Sequence, residues 1–185
     1  MSLSILQDAR LYTVLHRVDV DLAEQARASG CASCGGVLHR ARYPRKPRGG
    51  PIELGAEHGR RLSFCCAREG CRRRKTPPSV RFLGRRVYFG AVVVLACALR
   101  DGLTPRRVRE LRALLGVDRR TLGRWRQWWR EPFVASRFWR ATRGRLIPPV
   151  AEEALPSSLL ERFAQTTPPG RLLAMLRFLM PISTG

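Results

Sequence analysis

The stretch "FCCAREGCRRR", residues 64 to 74, sets two adjacent cysteines ahead of a third and then runs into three arginines. About thirty residues earlier "CASCGG", residues 31 to 36, supplies a C-x2-C pair followed by two glycines, which let backbone amides approach the sulfur. Zinc prefers four soft ligands in a tetrahedron, and two knuckles on separate turns supply them. The pattern predicts one Zn2+ on Cys31, Cys34, Cys66 and Cys71, with Cys65 as the alternative to Cys66. Strand alternation favours Cys66, because Leu62, Phe64 and Cys66 share one face and Cys66 stands nearer the turn of Glu69 and Gly70. Four sulfurs leave no position for water, so the expected metal is structural and not catalytic. It would supply folding energy that a short, basic segment cannot draw from apolar burial. Four thiolates on Zn2+ sum to about −2, and Arg72, Arg73 and Arg74 more than offset that charge.

The rest of the composition agrees with a polyanionic partner. Lys and Arg number 35 against 14 Asp and Glu, giving a net charge of +21 and a pI near 11.6, which points first to nucleic acid. The only lysines are Lys46 and Lys75, and there is no Asn. Apolar residues make up 44% of the chain, enough to build a core. The start "MSLSILQDARLYTVLHR" lacks the basic end, long apolar run and small-residue cleavage site of a secretory signal, so a cytoplasmic, nucleoid-associated location is expected. The longest apolar run, "VYFGAVVVLACAL" from Val87 to Leu99, is shorter than the roughly 20 residues of a bilayer span. It reads as a buried helix, with Cys97 a core thiol. The six cysteines are expected as thiols or metal ligands and not as disulfides.

Four regions follow. Residues 1–30 read as a strand over Leu15 to Val20 and then a short helix "DLAEQARASG", with Asp19 or Asp21 as N-cap and Gly30 as the residue past its end. Residues 31–80 form the cysteine-bearing segment, in which "HRARYPRKPRGGP" reads as an exposed basic loop joining two short strands and "TPPSV" as a break. Residues 81–147 are helical, and 148–185 form a tail of two short amphipathic helices split by Pro168 and Pro169. The apolar face of "RLLAMLRFLMP" suits either a protein partner or the chain's own core. His39 and His58 lie between the cysteine pairs and suggest an HNH-type nuclease, but no Asn and no adjacent histidines support one; both read as solvated loop residues.

Within the helical region, "LTPRRVRELRALLGVDRRTLGRWRQWW" has the form of two helices across a tight turn. Thr104 and Asp118 are N-caps, Pro105 is a first helical residue, and Gly116 supplies a positive φ. Val108, Leu111, Leu115, Val117, Leu122 and Trp125 face inward. The stretch, 104–130, resembles the helix-turn-helix pattern, departing from it where Arg112 replaces the usual small apolar residue. In that motif the second helix enters the major groove, so Arg119, Arg120, Gly123, Arg124 and Gln127 are the base-contact candidates. Arg suits guanine, Gln suits adenine, and Gly123 admits close backbone approach. Arg106, Arg107 and Arg109, with Arg72, Arg73, Arg74 and Lys75 of the knuckle, are phosphate-contact candidates.

A four-cysteine zinc ribbon followed by a Thr-Pro-rich joint and a helix-turn-helix resembles the N-terminal DNA-binding region of insertion-sequence transposases over residues 31–130. Such transposases continue into an RNase H-like catalytic domain with three spaced carboxylates. Here the acids after Glu131 are Glu152, Glu153 and Glu161 alone. The expectation is an α+β, mostly α protein, a small four-cysteine zinc ribbon followed by a helix-turn-helix-containing helical domain. It would be a non-enzymatic, zinc-containing binder of double-stranded DNA, an accessory or regulatory product of a mobile element, with a transposase as a possible partner through the tail. The alternative is an RNA or ribonucleoprotein binder that uses the basic ribbon and the "HRARYPRKPRGG" loop.

Overall fold

Asp8 begins the first long element: its side chain accepts a hydrogen bond from the Arg10 backbone N–H at 2.9 Å, capping helix α1, Ala9–Ala28. The computed structural model describes residues 3–45, 47–84, 86–98, 104–163 and 167–184. The strand expected over Leu15 to Val20 is absent, and neither Asp19 nor Asp21 caps a helix. Alternation there suggested a strand, but Leu11, Leu15, Asp19 and Ala23 recur every four residues and form a buried helical stripe; that packing overrides the short-range pattern. Gly30 does stand past the helix end with φ 66°.

Two small antiparallel sheets follow. In the first, β4 (Phe64–Cys66) lies between β1 (Leu38–Arg40) and β5 (Arg74–Lys75), with Leu38 opposite Cys66 and Cys65 opposite Arg74. The second pairs β2 (Tyr43–Pro44) with β3 (Arg60–Arg61). The short strands expected around the basic stretch 39–51 are present, but β1 and β2 take up its first part, so the loop that joins strands here is the longer one from β2 to β3. Arg45 inside it donates to the Gly84 and Arg86 carbonyls. Ala23 of α1 joins Cys31, Leu38, Leu62, Phe64 and Cys66 in a small core of its own.

The larger core surrounds α2, Gly90–Cys97, every residue of which is buried. This helix is shorter than the apolar run suggested. Tyr88 and Phe89 instead bridge to Arg48 and Phe82 in extended conformation, and Val87 is 57% exposed. Leu99 and Gly102 fall outside the described residues. Helix α3, Pro105–Leu115, is capped by Thr104 and ends at Gly116, φ 63°. Asp118 caps α4, Arg119–Trp128, by accepting from the Thr121 N–H at 2.6 Å. Val117 fills the corner, and Leu111, Leu115, Leu122 and Trp125 are buried, with Val108 half-buried. Pro132 does not stop the chain but sits inside a π-helical turn, Trp129–Phe133. Helix α5, Arg137–Thr142, follows, capped by Ser136.

The tail folds back on this core. Short helix α6, Ser157–Leu160, is followed by α7, Pro168–Phe178, whose prolines open it under a Thr167 cap. Leu159, Leu160, Leu172, Met175, Leu176 and Leu179 all join the α2 core. The apolar face that suggested a protein partner is thus occupied by the chain itself. The architecture is mixed α+β and mainly helical, and among the described residues no helix is long and apolar enough to cross a membrane.

One buried ion pair ties α1 to the segment before α2. Arg81 donates from Nε to Asp19 Oδ2 at 2.7 Å, with the two side chains 0% and 2% exposed. The Val80 N–H and the Ser79 hydroxyl also donate to the Asp19 carboxylate. The remaining Arg81 nitrogens donate to the carbonyls of Glu57, His58 and Arg60. A buried ion pair is sustained only when its other donors and acceptors are satisfied in this way.

Candidate metal centre and nucleic-acid interface

Four cysteine sulfurs converge where α1 ends and the three-stranded sheet begins. Cys31 follows the left-handed Gly30, and the turn to Cys34 is closed by the Gly35 N–H donating to the Cys31 carbonyl at 2.8 Å. Cys66 is held on β4 by its N–H to the Arg73 carbonyl, 2.9 Å, and Cys71 by its N–H to the Arg68 carbonyl, 3.1 Å. Gly70, φ 79°, and Arg72, φ 45°, turn the chain around that second knuckle. The Sγ atoms of Cys34 and Cys66 lie 3.4 Å apart, those of Cys31 and Cys71 lie 3.8 Å apart, and all four fall within 4.8 Å of one another. A tetrahedron of sulfurs about 2.3 Å from a central ion has edges of about 3.8 Å. The four cysteines could therefore hold one metal ion.

Gly36 makes this convergence possible. A Cβ at that position would come within 3.2 Å of the Cys66 sulfur and 3.3 Å of the Cys34 sulfur. The thiols differ in acidity: the Ser33 backbone N–H draws the Cys31 thiol down to about 6. The Arg68 N–H favours the Cys66 thiolate as well, but burial and the three neighbouring sulfurs outweigh it and push that thiol up to about 12. Four thiolates cannot share such a pocket without a cation between them. Cys65 points elsewhere, towards the Arg72 carbonyl at 3.3 Å, so the geometry selects Cys66. Cys97 is a core thiol, pushed up to about 12 by burial.

The residues expected on phosphates divide into two groups. Arg72, Arg73 and Arg74 are exposed beside the cluster, Arg73 donating to the Ser33 hydroxyl. Lys75 is not available: its ammonium donates to the Ala26 carbonyl, the Ser29 hydroxyl and the Gly30 carbonyl at 3.1, 2.6 and 3.0 Å. All three of its protons go to the C-terminal end of α1, where unpaired carbonyls attract a cation. On α3, Arg106 and Arg109 are exposed, Arg106 pairing with Glu110 at 3.1 Å, while Arg107 is half-buried near the same carboxylate.

On α4, all five base-contact candidates, Arg119, Arg120, Gly123, Arg124 and Gln127, are exposed. A Cβ at Gly123 would meet nothing within 4 Å, so that position is open. Arg124 donates to the Thr121 hydroxyl and Gln127 to Glu131. Trp125 and Trp129 are core, whereas Trp128 is half-buried with the Arg86 guanidinium 3.8 Å from its ring centre.

Each histidine departs from the expected solvated loop in one respect. His39 lies exposed on β1 and not in a loop, and His58 is nearly buried with its ring 5.3 Å from that of His16. Sequence reasoning also missed Asp19 with Arg81 and Arg86 with Trp128, because no local spacing links residues so far apart in the chain. Comparison with protein-family models, curated proteins and solved structures returns no match.

Proposed function

We propose that this chain is a zinc-stabilised DNA-binding protein in which α3 and α4 form a helix-turn-helix. Helix α4 presents its outer face to the major groove and the four-cysteine ribbon carries one structural Zn2+. The observation that carries the reading is the exposed face of α4, where Arg119, Arg120, Arg124 and Gln127 surround the open Gly123 on a chain of net charge +21. Arginine and glutamine there have the donors that base edges accept, and glycine admits close approach. The exposed Arg106 and Arg109 on α3 and Arg72 to Arg74 beside the metal supply sequence-independent attraction. Zinc is favoured by the all-sulfur donor set and its near-tetrahedral spacing. Four sulfurs complete that coordination, which supports binding over catalysis. The order of ribbon, joint and helix pair supports a place as an accessory or regulatory protein of a mobile element.

The RNA reading draws less support, because Arg40 pairs with Glu24 and Arg45 is turned inward, leaving the basic stretch less cationic than its sequence suggests. Gel-shift titration of a mixed-sequence duplex over increasing salt tests the proposal. Each neutralised phosphate contributes about −0.9 to the slope of log K against log salt. Arg120→Ala with Arg124→Ala should weaken binding and relax sequence preference. Affinity insensitive to salt, or structured RNA outcompeting duplex DNA, would refute the reading.

A further inference from the structure

Beside α4 runs a groove of about 470 Å3 that shares Arg124 and Gln127 with the proposed duplex contacts and extends past them to Arg86 and Trp128. Its walls are Arg86 and Tyr88, from the extended segment ahead of α2, and Arg124, Trp125, Gln127 and Trp128 of α4. At about 100° per residue, Arg124 and Gln127 stand at the boundary between the outer face of α4 and this groove. Its volume falls in the range of sites that enclose a small organic ligand.

The chemistry of the walls narrows that ligand. Trp128 is half-buried, with Trp129 and Phe133 packed on it at 4.7 and 5.4 Å between ring centres, whereas Trp129 is fully buried. The Arg86 guanidinium lies over the Trp128 ring, 3.8 Å from its centre, a cation–π contact, while partial burial lowers its pKa. With the guanidinium over the indole, the outer face of Arg86 offers a flat, polarisable surface to another flat ring, backed by Trp128. At the rim Gln127 donates to Glu131 Oε2 at 3.2 Å, which leaves the amide oxygen and the carboxylate as acceptors for N–H groups. Glu131 repels a phosphate at that end, whereas Arg86 and Arg124 attract one. A flat ring with N–H donors on its edge and an anionic tail describes a nucleotide. Within a paired duplex the base is stacked away and cannot enter.

We infer that this groove receives one unpaired nucleobase from DNA flanking the duplex site, stacked on the Arg86 guanidinium that Trp128 backs, with its edge towards Gln127 and Glu131. The inference rests on the reading of α4 as the DNA-facing helix. It makes the protein a reader of duplex ends or distorted junctions and not of uninterrupted duplex alone.

The test uses the full, zinc-loaded chain and three probes of one mixed sequence: a blunt duplex, the same duplex with a short single-stranded overhang, and that overhang made abasic. Fluorescence anisotropy should give about tenfold tighter binding to the overhang than to the blunt duplex. Tryptophan emission should fall only with the base present, and the abasic probe should behave like the blunt one. Arg86→Ala should erase the preference while leaving blunt-duplex affinity unchanged. Trp128→Leu should do the same and also abolish the emission change. Equal affinity for all three probes overturns the inference but leaves the duplex reading standing. An abasic overhang that binds as tightly as the intact one also overturns it. Failure to bind any duplex removes the DNA reading itself, and with it this inference.

Discussion

Replacing Cys66 and Cys65 separately by serine distinguishes two neighbours that differ by one position in sequence and by their whole environment in space. Cys66 is fully buried with its sulfur 3.4 Å from that of Cys34, whereas Cys65 faces the Arg72 carbonyl. The small core around the cluster has Leu38, Leu62 and Phe64 as its only large, fully buried apolar side chains among the described residues, each contributing about 1.5–3 kcal/mol on burial. A structural zinc contributes about 10–16 kcal/mol at neutral pH, so the ion outweighs those side chains together. Cys65→Ser should retain one equivalent of zinc through gel filtration and keep wild-type stability. Cys66→Ser should lose the zinc, and the amides of β1, β4 and β5 should then exchange rapidly in hydrogen-exchange mass spectrometry. Those of α2 should stay protected, because its neighbours belong to the other core. Tight zinc retention by Cys66→Ser, or its loss from Cys65→Ser, would refute this assignment of ligands.

Three further outcomes follow from single contacts. Arg81→Met strands the buried Asp19 carboxylate and should cost about 3–5 kcal/mol in urea denaturation; adding Asp19→Asn should recover part of that loss, and a wild-type midpoint for the single variant would contradict the network. Gly123→Ala has open space in the free protein and should raise stability by about 0.5–1 kcal/mol while weakening duplex binding; unchanged affinity would remove the close approach at that position. The pKa of His16 is lowered by burial, then by Arg81 and His58, with Asp19 and Glu57 acting the other way. The unfolded chain therefore binds a proton that the folded one refuses, so this contribution is full above the ordinary value of 6.5 and is lost as pH falls below it. His16→Gln should flatten the decline in urea midpoint between neutral and mildly acidic pH.

The parts of the fold legible in the sequence are those whose chemistry lies within a few residues. Thr104, Gly116 and Asp118 form caps and a turn from their own side chains or backbone freedom, and the structure uses each in that role. The C-x2-C pair and the later cysteines could be matched because thiol ligands are few and zinc needs four. The N-terminal helix failed the same local reading, since short-range alternation was outweighed by a stripe that only the assembled core rewards.

What the sequence alone determined is the inventory: two cysteine knuckles, two capped helices across a glycine turn, one wholly apolar helix and a large positive charge. Tertiary structure decided which members of that inventory are free. It chose Cys66 over Cys65, assigned Lys75 to the end of α1, buried Asp19 against Arg81 and closed the tail over α2. The physical reason is that caps and turns are satisfied by near neighbours, whereas a buried charge or an apolar face is satisfied by whatever the rest of the chain brings to it.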